Sequence, residues 1–208
     1  MVDFNRLFQE INEYEASLGL AFYNQPDRRL DRYVNVKPYT HNRCILPSGA
    51  YLNASIVEYP GHPVRFIVTQ APKVDTLHAF LEMLEHEQVS LIIRLGGECM
   101  YEDYTGCGTL YFPDWPDHGV PSRTEFIQFH AVYRKRICAL SKPTVVVHGN
   151  AGVGRSGTFV AYDIAMHKRR SLGGNVDIVA LVKDLRRYRT LMVQTAGQLE
   201  FLVDVIEK

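Results

Sequence analysis

The segment VVVHGNAGVGRSGTF (145–159) constrains the fold more than any other part of the chain. It follows Thr144 and opens as a continuous β-branched run that ends at His148. Such a run suits a central strand covered on both faces. It then crosses Gly149, Gly152 and Gly154 and enters a stretch from about Arg155 to Arg170 that reads as a helix. A buried strand feeding a helix through a Gly-rich turn calls for a layered α/β arrangement. Glycine adopts backbone angles that other residues resist, so the loop can turn successive N–H groups inward as an anion nest. The helix adds the positive end of its dipole. Arg155, at the helix start, can grip two oxygens of one oxyanion. The sequence therefore predicts a phosphate or sulfate site along Gly149, Asn150, Ala151, Gly152, Val153, Gly154, Arg155 and Ser156. It is not a nucleoside triphosphate loop, because GxxxxGK[ST] is absent.

Composition limits what that site can serve. With 208 residues, 46% hydrophobic and 22% charged, the chain has ordinary globular values and length for one compact domain. Lys plus Arg and Asp plus Glu are 23 each, so the net charge is zero. That balance argues against a general nucleic-acid or membrane binder, and any anion recognition must be local. No apolar run approaches the roughly 20 residues of a membrane-spanning helix. The N-terminus, MVDFNRLFQEINEYEASL, carries too many charges for a signal peptide. Cys44, Cys99, Cys107 and Cys138 show neither CxxC nor zinc spacing, so no metal or cofactor is expected. Free thiols suit a reducing compartment, the cytoplasm or the nucleus.

The rest of the chain alternates strand and helix signals. Residues 2–18 place Phe4, Leu7, Phe8, Ile11, Tyr14 and Leu18 at helical spacing, which predicts an N-terminal helix docked within 1–20. Residues 23–60 are rich in Asn, Pro and Gly, with short extended pieces at Tyr33–Val36 and Tyr51–Val57. Strands are predicted at 65–70, 90–95 and 110–112. Asp75 is placed to cap a helix carrying Leu77, Phe80, Leu81 and Leu84. Ser122 or Thr124 opens another, with Phe126, Phe129, Tyr133 and Ile137 inward. Helices near 176–188 and 196–207 close the chain. The fold class is α/β, a central mixed and mostly parallel sheet flanked by helices.

Around Gly149 the sequence resembles the signature loop of the protein tyrosine phosphatases, H-C-x5-R-[ST]. His148, Arg155 and Ser156 fall in register, and Gly149 stands where that family has its Cys. Other strings resemble the same family in the same order. Asn42-Arg43 resembles its phosphotyrosine-recognition loop. Tyr51-Leu52-Asn53-Ala54-Ser55 and Thr69-Gln70-Ala71-Pro72 resemble Y-I-N-A-S and T-Q-G-P. Trp115 to Pro121 resembles the general-acid loop, and Gln194 to Gln198 the loop that positions water.

The resemblance implies a tyrosine-phosphatase-like fold and roles for particular residues. Asp117 takes the general-acid position and Gln194 the water-positioning one. Arg43, Cys44, Trp115, His148 and Gln198 belong to the substrate pocket. Cys44 falls where an aromatic residue walls the phosphotyrosine site, which implies a shallower pocket. The stretches from Cys44 to Tyr51 and from Leu95 to Trp115 are shorter than in the family.

The family's thiolate attacks phosphorus, and Gly149 has no side chain to do so. The loop amides and Arg155 remain. The expected activity is therefore to hold phosphotyrosine in a protein or peptide without hydrolysing it, as a pseudophosphatase. Two other histories fit the residues. One is an active phosphatase with its Cys replaced to trap substrate. The other is a scaffold that uses its surface, for which the clusters Arg134-Lys135-Arg136, Lys168-Arg169-Arg170 and Arg186-Arg187-Arg189 are available, although solvated helix faces are the simpler account of these.

Overall fold

A computed structural model of the chain describes residues 2–96 and 107–207. Five strands form one sheet: β1 (Ala54–Val57), β2 (Arg65–Gln70), β3 (Leu91–Leu95), β4 (Thr109–Phe112) and β5 (Thr144–Gly149). Their order across the sheet is β1-β2-β5-β3-β4. β1 runs antiparallel to β2, and every other pairing is parallel. The strand that feeds the Gly-rich loop is thus the central one, and Val145, Val146 and Val147 are fully buried. Burying each such valine contributes on the order of 2 kcal/mol.

The helices are α1 (Phe4–Ser17), α2 (Leu77–His86), α3 (Arg123–Ile137), α4 (Gly154–Leu172), α5 (Ile178–Arg186) and α6 (Ala196–Glu207). The two-residue period of the strands divides the core. Phe66, Val68, Ile93, Val145 and Val147 face a large cluster built with α1, α3, α4, α5 and α6. Ile67, Ile92 and Val146 face a smaller one with Phe80, Met83 and Leu84 of α2. Helices on both faces explain why β5 reads as an uninterrupted apolar run. Among the described residues no helix is long and apolar enough to cross a membrane.

Local expectations meet the structure unevenly. Asp75 does not cap α2; it lies in a 3-10 turn, Val74–Thr76, that precedes the helix. His130 joins Phe126, Tyr133 and Ile137 on the buried side of α3, where it bonds the Asp163 carboxylate at 2.8 Å. Tyr33–Val36 is a turn, closed by the Val36 N–H donating to the Tyr33 carbonyl at 3.2 Å. The largest departure is the cluster 186–189: Arg186 and Arg189 are 0% exposed, and only Arg187 of the three is at the surface. A helix-end charge run reads as solvated, but loop carbonyls converge here and bind both guanidinium groups.

Candidate phosphate site

β5 ends at Gly149 and α4 begins at Gly154, so four residues make the turn. Each of their carbonyls is taken from outside. The Ala71 N–H donates to Asn150 O at 3.0 Å. Arg189 donates from NH2 to Ala151 O at 3.0 Å and from Nε to Gly152 O at 2.8 Å. The Val193 N–H donates to Val153 O at 3.2 Å. A trans peptide places its N–H opposite its C=O. Holding these four carbonyls outward therefore turns the following N–H groups the other way, the arrangement that makes an anion nest. Gly152 is essential to this turn. Its φ is +69°, and a Cβ there would lie 2.0 Å from the Thr69 carbonyl oxygen.

The loop floors a cavity of about 200 Å³. Residues 149–156 line it together with Asp117 and His118, Gln194 and Gln198, and the segment that carries Tyr33, Asn35 and Val36. Arg155 is 5% exposed and donates to the Trp115 carbonyl and to Asp117 Oδ1, both at 3.0 Å. The Ser156 hydroxyl is buried against the cavity and has no partner among the described residues.

The turn that carries Asp117 is fastened over the site. Trp115 Nε1 donates to Gly119 O at 3.1 Å. Gln198 Nε2 donates to the same carbonyl at 3.3 Å, and Thr195 Oγ1 donates to His118 O at 3.4 Å. Gln198 Oε1 in turn accepts from the Gln194 N–H at 2.8 Å.

The comparisons with known proteins agree with this geometry. The protein-tyrosine phosphatase family model matches residues 27–113 and 101–208. The chain is 31% identical to human receptor-type tyrosine-protein phosphatase eta over 91% of its own length. The chain belongs to the protein-tyrosine phosphatase family. It spans 18% of the length of that relative and 17% of rat receptor-type tyrosine-protein phosphatase C. Two solved structures of PTPN18 superpose with TM-scores of 0.86 and 0.85 at 20% identity, over 98% of this chain and 94% and 91% of theirs. One of those is described as a complex with HER2 phosphopeptides.

Within this phosphatase fold, several residues expected in the pocket lie elsewhere. Cys44 is fully buried between the sheet and α2 and is 3.6 Å from Glu87 Oε1. Burial pushes its thiol up to about 12, so it is an inert core group. Arg43 does not line the cavity and stacks over the Tyr23 ring at 4.0 Å. Asp31-Arg32-Tyr33 is a similar string, and its Tyr33 lines the cavity. An aromatic residue therefore lines the cavity, although Cys44 does not. The signal was present in the sequence: two similar strings stand eleven residues apart, and only the first ends in an aromatic residue. Most of the stretch between Leu95 and Cys107, including Cys99, lies outside the described residues.

Trp115 and His148 are buried and do not line the cavity. Trp115 is 2% exposed and packs edge-on against Phe112 and Phe126. His148 faces Phe80 on the α2 side, and burial lowers its pKa to about 4, so its ring is neutral at pH 7. Gly149 itself is ordinary in its backbone. It pairs with Gln70 across the sheet, and a Cβ built on it would lie 3.2 Å from Leu95 O and 3.4 Å from Arg155 Nε.

Proposed function

We propose that this domain binds phosphotyrosine in a partner protein or peptide and releases it unhydrolysed. Gly149 carries the reading. It lines the cavity at the start of the Gly-rich turn, at the position that matches the family's nucleophile. The ring of Tyr33 at the cavity and the bridge from buried Arg155 to half-exposed Asp117 suit an aryl phosphate ester. Loop amides, the α4 dipole and Arg155 supply affinity without any contribution from a thiolate. General-acid help from Asp117 alone is worth about 10²–10⁴-fold, far below what phosphate-ester hydrolysis requires. The unpaired state of Cys44, Cys107 and Cys138 supports a reducing location such as the cytoplasm.

The test is calorimetric titration of a phosphotyrosyl peptide into the chain, with Arg155→Ala in parallel. Binding to the parent that is lost in the variant is expected. Equal binding in both would assign recognition to another surface.

A further inference from the structure

Of the basic clusters at 168–170 and 186–189, burial takes Arg186 and Arg189 inward and leaves Arg187 exposed. The fold then brings Arg187 and Lys168 of α4 to a second cavity, of about 590 Å³. His41 adds an imidazole, Tyr59 and Tyr188 add aromatic rings, and Asp184 adds a carboxylate. No residue lines both this cavity and the phosphate cavity. Its lining comes from separate stretches of chain, and hydrogen bonds fix them to one another. The Asn42 Nδ2 group donates to Tyr188 O at 2.7 Å, and Tyr188 OH donates to Glu58 O at 3.1 Å. Tyr59 OH donates to Asp184 Oδ2 at 3.1 Å. Lys168 Nζ donates to Tyr59 OH at 3.3 Å and lies 5.2 Å from the centre of its ring.

We propose that this cavity is a second docking site, for an acidic segment of a protein partner. Its charges do not cancel. Asp184 is engaged by the Tyr59 hydroxyl, and among the described residues neither Lys168 nor Arg187 forms an ion pair. Two cationic side chains beside tyrosine rings complement carboxylates carried on a peptide. Asp184 decides against a compact polyanion such as an inositol polyphosphate, whose clustered charges it would repel. Single carboxylates on a flexible chain can meet Lys168 and Arg187 and leave Asp184 to Tyr59. The net charge of the chain is zero, so attraction of such a segment has to be local. Docking here does not depend on phosphotyrosine binding, because the two cavities share no residue. A partner whose linker spans both cavities is held at two points and gains affinity without a new contact at either.

The probe is a fluorescently labelled oligoglutamate peptide, with oligolysine as the control of opposite charge, read by anisotropy at low salt. The parent is expected to bind oligoglutamate and not oligolysine, and to bind it more weakly as salt rises. Arg187→Glu and Lys168→Gln are each expected to weaken binding about three- to tenfold, and either carries the test if the other does not fold. Arg170→Glu reverses an exposed α4 cation outside the cavity and is expected to stay within about twofold of the parent. Saturating phenyl phosphate is expected to leave the peptide bound. A parent that does not bind oligoglutamate, a loss in Arg170→Glu equal to that in Arg187→Glu, or displacement by phenyl phosphate overturns the proposal. Tighter binding of inositol hexakisphosphate than of oligoglutamate at this cavity also overturns it, by assigning the cavity to a compact polyanion.

Discussion

Arg155 Nη2 donates to Asp117 Oδ1 at 3.0 Å, so the guanidinium and the carboxylate at the cavity satisfy each other. The guanidinium is 5% exposed and the carboxylate side chain 55%. In this arrangement Asp117 presents to Arg155 the same kind of oxygen that a phosphate would bring. An incoming dianion must displace that carboxylate and then sit beside it. Both steps oppose binding.

Asp117→Asn should therefore tighten binding. The amide is neutral and a weaker partner for Arg155. The half-exposed position of Asp117 makes the effect modest, and phenyl phosphate is expected to bind about three- to tenfold more tightly. Calorimetry of the two proteins with phenyl phosphate measures it. Weaker binding by the Asn variant would show that the carboxylate assists the ligand.

Gly149→Cys should fold and turn over substrate. The backbone at 149 is strand-like, and the nearest obstacle to a Cβ is the Leu95 carbonyl at 3.2 Å, which must yield by a few tenths of an ångström. A cost of about 1 kcal/mol is expected. Arg155 Nε, 3.4 Å from the Cβ position, and the α4 dipole would hold the new thiol as thiolate. Steady-state release of p-nitrophenol from p-nitrophenyl phosphate should appear in the variant and be absent from the parent. A folded, reduced variant without turnover would mean that the cradle no longer aligns a nucleophile.

Gly152→Ala is the opposite case. Its φ of +69° and the 2.0 Å approach to Thr69 O leave a side chain no room without moving backbone. A loss of about 3 kcal/mol or more in stability is expected, together with loss of phosphate binding. Urea unfolding of the variant reads the first, and a near-parental midpoint would contradict the close approach.

His148 makes stability depend on acid. Burial holds its pKa at about 4 when folded, against the ordinary 6.5 of a free side chain. The unfolded chain therefore binds the extra proton first, and the contribution present above pH 6.5 is lost as pH falls toward 4. The shift corresponds to about 3 kcal/mol at most. Unfolding free energies of the parent and His148→Asn, compared from pH 7 to pH 4.5, should show a shallower slope in the variant. Parallel slopes would rule His148 out as the source.

The parts of the fold legible in the sequence are those with strong periodicity. β2, β5 and α4 stand where the sequence pattern places them, and the turn between β5 and α4 was marked by its glycines and Arg155. The pocket wall was not legible in the same way. Asn42-Arg43-Cys44 and Asp31-Arg32-Tyr33 are similar strings in an irregular segment, and only the packing of Cys44 against α2 separates them. Arg186 and Arg189 were misread for a related reason. Nothing in a run of arginines announces that carbonyls of Met192, Val193, Ala151 and Gly152 will converge on it. Those acceptors come from loops, whose positions follow from the fold and not from local sequence.

The most direct test of binding without hydrolysis is a phosphorus-31 NMR titration of a phosphotyrosyl peptide with the unmodified chain. The account predicts that the peptide resonance shifts saturably with protein concentration while no inorganic phosphate signal grows in. A resonance that does not move, or an inorganic phosphate signal that grows with time, would contradict it.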